Sequence, residues 1–263
     1  DKIVAVTTAI TLSKERLGIA EMTAKFVKTA GIIKDGFSFQ AGAGGISLAF
    51  SKYVKEMMKD TNVKARFIRG GSTKQLVEML EEGLTDYILD GQTFDLEGVR
   101  SMRENSRHVS TSPFTSYNWH GKGNFASQVD MVVLGATEVD VNFNANVVTH
   151  SDGLMLHGIG GWQNCLFSKC TILAIPSIRK NNPIIVNEVT TLVGPGELID
   201  VVVTERGIAI NPFRDDLIKA TKNSELPIRN INEIKSEIDE LVETPVPKPN
   251  LSDKVISSVK WVD

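Results

Sequence analysis

Apolar positions in the first third of the chain switch period several times. Over residues 13–30, Leu17, Ala20, Ala24 and Val27 recur at helical spacing, with Ser13 placed to cap the start and Gly31 to stop the run. Residues 36–40 form a short strand candidate, followed by the glycine loop 42–45. A second helix then places Phe50, Tyr53, Val54, Met57 and Met58 on one face. Residues 63–68 predict a strand ending in Arg69-Gly70-Gly71, and residues 73–82 a helix ended by Gly83. Helix, strand, helix, strand, helix in that order predicts a mostly parallel sheet with helices packed on it.

Three later runs, residues 131–134, 171–175 and 199–203, are β-branched and almost continuously apolar. That pattern predicts strands covered on both faces. Residues 105–128 are rich in Ser, Thr, Asn and Gly and predict a long loop, a kind of segment that often carries function. Past residue 211 the character changes. Asn232 opens a charged helix with Ile234, Ile238 and Leu241 on one face, and Pro245-Val246-Pro247-Lys248-Pro249 is stiff and extended. The predicted organisation is one domain over residues 1–230, with a C-terminal helix and tail over 231–263 packed on it. The chain begins at Asp1 rather than Met and enters a helical pattern almost at once, which predicts a piece of a longer polypeptide or a processed one.

Charge and composition narrow the partners. The formal net charge is −3, so no overall basic field favours nucleic acid. No apolar run approaches the roughly 20 residues of a membrane span, and residues 1–6 lack the pattern of a signal peptide. Two cysteines, Cys165 and Cys170, make no disulfide framework and fit a reducing, cytoplasmic setting as buried packing thiols.

Candidate chemistry lies in glycines and one arginine. The loop Gly42-Ala43-Gly44-Gly45 sits between a strand and a helix, where backbone N–H groups favour anions. It lacks the dinucleotide fingerprint because Ser47 stands at the last glycine position, and a structural turn explains it equally well. The pattern Gly-x-Gly-Gly returns in His157-Gly158-Ile159-Gly160-Gly161, which could aim N–H groups at an oxyanion or form a tight turn. Arg69, at a strand's carboxyl end, could hold a carboxylate bidentately or pair with a local acid. His150 and His157 lack a metal-ligand spacing, the cysteines lack C-x-x-C, and no metal site is expected.

Taken together these pieces resemble a known family. Ser38-Phe39-Gln40-Ala41-Gly42-Ala43-Gly44-Gly45 is similar to the strand and glycine loop opening the second domain of acetyl-CoA hydrolases and transferases. The runs 129–140 and 144–147, the loop Gly158-Ile159-Gly160-Gly161 and residues 199–209 follow the same family order. Within that family, residues 39–49, 81–84, 89–101 and 187–191 resemble citrate lyase alpha chains.

The resemblance implies an α/β domain with an open, mostly parallel twisted sheet and helices on both faces. This is the coenzyme A transferase (sugar-phosphate-isomerase-like) fold, here as the second of two tandem domains, with the first absent from the sequence. It also implies a transferase exchanging acetyl-S-carrier and citrate for citryl-S-carrier and acetate, in an oligomer with beta and gamma (acyl carrier) subunits. No tightly bound cofactor is implied; the coenzyme A-like prosthetic group belongs to the carrier. The acyl-enzyme glutamate of most such transferases falls on Gly70 or Gly71, which implies exchange without a glutamyl intermediate. Gly160, Gly161 and Arg69 are the expected catalytic residues, the first two as oxyanion donors and Arg69 as carboxylate anchor. Gly44, Gly45, Gly70 and Gly71 are the expected substrate-binding residues. Asn164 stands where relatives usually carry an aspartate. The alternatives are a general coenzyme A transferase or acetyl-CoA hydrolase, which would keep the glutamyl thioester, and a catalytically silent ligand-binding domain of the same fold.

Overall fold

The computed structural model describes residues 9–42, 44–112, 115, 125–156, 158–243, 249, 252–255 and 258. His157, residues 245–248 of the proline-rich segment and most of the loop at 113–124 lie outside the described residues.

Among the described residues the strands are β1 (Phe37–Ala41), β2 (Ala65–Ser72), β3 (Thr85–Thr93), β4 (His108–Ser110), β5 (Met131–Leu134), β6 (Glu138–Asp140), β7 (Ala145–Asn146), β8 (Thr171–Ala174), β9 (Ile178–Arg179), β10 (Asn182–Pro183), β11 (Ile185–Val186), β12 (Val201–Thr204) and β13 (Gly207–Ile210). The helices are α1 (Lys14–Thr29), α2 (Gly45–Thr61), α3 (Lys74–Glu81), α4 (Leu96–Glu104), α5 (Trp162–Cys165), α6 (Asp215–Thr221) and α7 (Ile231–Leu241). One eight-stranded sheet has the order β13-β12-β8-β5-β1-β2-β3-β4 and is parallel throughout except for the β12–β13 hairpin at its edge.

Strand alternation divides the core in two. Phe37, Phe39 and Ala41 of β1, Met131 and Val133 of β5, and Val201 and Val203 of β12 face a cluster with α1, α2, α3 and Leu217 of α6. Val132, Leu134, Leu173 and Val202 face the opposite cluster, which contains α5, α7 and the small β11-β6-β7 sheet. A buried side chain the size of Phe39 contributes roughly 2–3 kcal/mol. Phe39 also stacks on Phe37 at 5.9 Å and meets Phe50 edge-on at 6.3 Å.

Local signals act where expected. The Ser13 hydroxyl accepts from Arg16 N–H at the start of α1, and Gly31 takes a positive φ just past its end. At the C-terminus the expectation needs adjustment. Asn230, not Asn232, caps α7, and the apolar face is Ile231, Ile234 and Ile238, while Leu241 is exposed. The pattern did not predict β3, α4 or β4; Tyr87 of β3 and Val109 of β4 are exposed, which breaks a buried-strand signature.

The chain runs outward from β1 through β2 and β3 to β4. It then returns to β5 on the other side of β1 and runs outward through β8 to β12 and β13. The direction of travel reverses between β1 and β5. In open α/β sheets, ligands bind at the carboxyl ends of the strands beside such a switch point. Among the described residues no helix is long and apolar enough to cross a membrane.

Candidate active site

A cleft of about 1080 Å³ opens at that switch point. Gln40 and Gly42 of the β1 end form one wall, with Gly44, Gly45 and Ser47 at the start of α2. Facing them across the reversal are Leu134, Gly135, Ala136 and Thr137, after β5. Gly70, Gly71, Gly91, Gln92 and Phe94 supply the β2–β3 side, and Ile159, Gly161, Trp162 and Cys165 the second glycine loop and α5. The three glycine motifs, far apart in sequence, thus converge on one cavity.

Each wall has a local cause. Gly44 caps α2 without a side chain, no acidic residue sits in the first turn of that helix, and the free N–H groups of the turn carry a partial positive charge. The segment before α1 crosses this turn, since Thr11 N–H donates to Gly45 O. That crossing brings Arg16 of α1 to the cleft. Arg179 arrives from the other side, past β8, with one guanidinium nitrogen donating to Ala136 O at 3.2 Å. Burial, with the Arg16 charge nearby, pulls the Arg179 pKa down from its usual value. An arginine starts high enough to remain cationic at neutral pH. Two arginines therefore line the cleft, and no carboxylate is among the described lining residues.

Gly70 and Gly71 have structural reasons to be glycine. Gly70 adopts φ +105°, and a Cβ there would come within 2.9 Å of Gln40 Cγ. At Gly71, φ is ordinary, but a Cβ would lie 1.6 Å from Cε2 of Phe94. Pairing between β2 and β3 slips at this point, Gly70 opposing Asp90 and Gly71 opposing Gln92, so that Gly91 bulges beside the cleft.

A buried carboxylate braces that wall. Asp90 accepts from Ser72 Oγ at 2.7 Å, Thr93 Oγ1 at 2.9 Å and Gln92 N–H at 2.9 Å, and its Oδ2 lies 3.3 Å from His108 Nε2. His108 Nδ1 in turn lies 2.9 Å from Ser101 Oγ. The order Ser, His, Asp has the look of a nucleophile relay, but Ser101 is completely buried and no substrate reaches it. Burial pushes the Asp90 pKa up, and the hydrogen bonds from His108, Ser72, Thr93 and the Gln92 amide outweigh it, leaving a net lowering.

The residues expected from sequence divide as follows. Gly44, Gly45, Gly70, Gly71 and Gly161 line the cleft. Gly160 and Asn164 are not among the lining residues, although the neighbouring Ile159, Gly161 and Cys165 are. Arg69, expected to anchor a carboxylate, is only 1% exposed in β2 beside Gln40 and is not among the lining residues either. Cys165 and Cys170 are buried and form no disulfide; burial raises the Cys170 pKa, and Cys165 lines the cleft. His150 is exposed just before the turn at residues 151–152. Sequence reading missed Arg16, Gln40, Phe94, Trp162 and Arg179. Applying the carboxyl-end rule to the strand at 171–175, as it was applied at Arg69, would have led to Arg179.

The reversal in strand order, the glycine-walled cleft beside it and the folded relatives define the class as a coenzyme A transferase-like α/β domain. A family model described as citrate lyase, alpha subunit (CitF), matches residues 1–263, and the chain belongs to that family. It is 35% identical over 263 residues to the citrate lyase alpha chain of Klebsiella pneumoniae, covering 100% of this chain and 52% of that one. It is 37% identical over 228 residues to that of Haemophilus influenzae, covering 86% and 46%. A crystal structure described as the alpha subunit of citrate lyase from Streptococcus mutans in complex with citrate superposes with a TM-score of 0.89 at 41% identity. That match covers 92% of this chain and 48% of the other. A Pseudomonas malonate decarboxylase hetero-tetramer in complex with malonate, at 16% identity and a TM-score of 0.56 over 87% and 50% of the two chains, shares the fold. The chain spans about half the length of the curated relatives it matches.

Proposed function

We propose that this chain carries the acyl-exchange site of a citrate:acyl-carrier transferase, working with the beta and carrier subunits of a lyase complex. The observation that carries the reading is the pairing of Arg16 and Arg179 around a cleft lined by no described carboxylate. A cavity of that charge suits a polycarboxylate, and the Streptococcus mutans relative is described as a complex with citrate. In this reading the anchoring role expected of Arg69 passes to Arg16 and Arg179, helped by the free N–H groups at the start of α2.

The chemistry follows from what the wall cannot hold. A glutamate at position 70 meets an unfavourable backbone and Gln40, and one at position 71 meets Phe94. A covalent glutamyl-enzyme has no place at either position. A citrate carboxylate oxygen instead attacks the thioester carbonyl of the acetylated carrier. The C–S bond breaks, the carrier leaves as thiolate, and an acetyl–citryl anhydride remains. The thiolate then attacks the citryl carbonyl, and the anhydride C–O bond breaks to release acetate. In this reading the glycine loop, whose Gly161 lines the cleft, serves as the source of backbone oxyanion donors. Bringing two anions and a thioester together accounts for most of the work, so positioning dominates.

The test is acyl exchange in the full-length chain, with labelled citrate and acetylated carrier. Label is expected in the carrier thioester, and borohydride is expected to trap no glutamyl-enzyme. Absence of exchange in the assembled complex, or a trapped glutamyl thioester, overturns the reading.

A further inference from the structure

We infer that Phe94 sets the size of the acid accepted at the β2–β3 wall, and that Gly71 is bare because the Phe94 ring lies on it. This rests on the exchange reading above for the identity of the acid, and on packing alone for the coupling between the two residues.

A Cβ added at Gly71 would lie 1.6 Å from Cε2, 2.2 Å from Cδ2 and 2.3 Å from Cζ of Phe94. The ring covers the α-carbon of Gly71 directly, so any side chain at position 71 requires the ring to move. The backbone under the ring is held on both sides. Phe94 N–H donates to Ser72 O at 2.9 Å. The next residue, Asp95, caps α4 by accepting from Gly98 N–H at 2.9 Å and holds the start of α3 by accepting from Lys74 N–H at 2.6 Å. Helix α4 cannot retreat toward the strand either, because a Cβ on Gly98 would already lie 2.6 Å from Ser72 Oγ. The remaining freedom is rotation of the ring into the cleft.

The same wall has little other side-chain surface. Gly70, Gly71 and Gly91 expose backbone, so Phe94 is its large apolar element. The arginines take the carboxylates, and the ring therefore meets the carbon skeleton of the bound acid. Removing the ring opens room for an acid with an extra alkyl substituent; pushing it inward closes room for citrate itself. One methylene in an apolar pocket typically discriminates ligands by about 10-fold or more.

The experiment is a double-mutant cycle in the full-length chain with Gly71→Ala, Phe94→Ala and the combined variant. Phe94→Leu repeats it if Phe94→Ala folds poorly. Thermal midpoints and calorimetric binding of citrate and of a citrate bearing one extra methyl group are measured for each. Gly71→Ala is expected to lower the midpoint and to weaken citrate about 10-fold. Phe94→Ala is expected to shift preference toward the methyl-substituted acid by a similar factor, and adding Gly71→Ala to it is expected to change little. Gly71→Ala that is harmless beside Phe94, or equally harmful without it, overturns the packing. An unshifted preference in Phe94→Ala overturns the specificity role. If the unaltered chain binds citrate and these couplings are absent, this inference fails alone. If it binds neither acid, the specificity role and the exchange reading fail together, and the thermal midpoints still decide the packing.

Discussion

The side-chain amide of Gln40 donates to the Cys165 thiol across 2.9 Å, and that thiol donates to Gly161 O at 3.1 Å. This chain of contacts joins the first strand of the main sheet to the second glycine loop. Gln40 also packs against Gly70, so one side chain touches one glycine motif, reaches a second through Cys165 and belongs to the strand that leads into the third. Replacing Gln40 by Leu keeps most of the bulk and removes the donor. The expected cost in stability is ~1 kcal/mol by urea unfolding, with a larger fall in acyl-exchange rate as the Gly161 loop loses its tether. Gln40→Glu adds a negative charge to a cleft proposed to bind anions and should weaken citrate further. A Glu variant binding citrate as tightly as the unaltered chain contradicts the polarity assigned to the cleft.

The two cleft arginines should differ in strength. Arg179 is half-buried and its guanidinium is braced by Ala136 O, whereas Arg16 is exposed at the start of α1. A charge-assisted hydrogen bond is worth roughly 1.5–3 kcal/mol, so Arg179→Gln should weaken citrate about 10- to 100-fold. Arg16→Gln should cost a few-fold, with an effect that shrinks as salt rises because exposed charges are screened. Arg179→Lys should recover little, since a point charge does not reproduce the planar fork. Calorimetric titration of the four proteins at low and high salt checks the order; equal losses at both positions would be inconsistent with it.

Much of this architecture was legible in the residues, and the limits have physical causes. Strands at 131–134 and 171–175 announce themselves because both faces are buried, and apolarity is then continuous. Strand β3 hides because its residues alternate irregularly between buried Ile88 and Asp90 and exposed Tyr87, Gly91 and Gln92 near the sheet's edge. The glycine loops were readable as candidates because glycine is the residue that lets a backbone approach a ligand. The arginines were not equally readable. Arg69 is buried because β2 runs past the expected strand end to Ser72 and residues 67–70 are all covered, while Arg16 belongs to a helix whose other charged residues face solvent. Which arginine meets the cleft depends on the crossing of residues 9–12 over α2, a long-range contact with no local signature.

Trp162 offers a direct optical report on the site. Its indole N–H donates to Gly135 O at 2.9 Å, and its ring lies over Gly194, where a Cβ would come within 2.7 Å. Trp162 also lines the cleft. Citrate binding is expected to change tryptophan emission, and Trp162→Phe is expected to abolish that change while leaving the emission of Trp119 and Trp261. Gly194→Ala should displace the indole, shift the emission of the unliganded chain and lower the thermal midpoint. A ligand-induced signal that survives in Trp162→Phe would place the binding event elsewhere.

Asp90 should make the site sensitive to acid through stability. Its folded pKa lies below the ordinary carboxylate value because four hydrogen-bonding groups favour the ionised form over the desolvation that opposes it. The unfolded chain releases the same proton near pH 4. A lowered folded pKa means that the native state binds fewer protons than the unfolded one, so stability rises with pH across that region. The contribution is complete above the unfolded value and fades as pH falls through the folded one. Asp90→Asn removes the charge and leaves part of the hydrogen bonding, so at pH 7 the variant should be less stable by about 2 kcal/mol. The gap should narrow steadily below about pH 4, where the unfolded carboxylate takes up its proton while the native one is still ionised. Urea unfolding of both proteins at pH 7, 5, 4 and 3 tests this. A gap that stays constant across the series means that Ser72, Thr93 and Gln92 are held by the shape of residue 90 rather than by its charge. In that case citrate affinity at pH 7 should survive the substitution. If the charge is what holds the wall, affinity falls with stability, because the same hydrogen bonds fix the Gly91 bulge and the approach of Gly71 to Phe94.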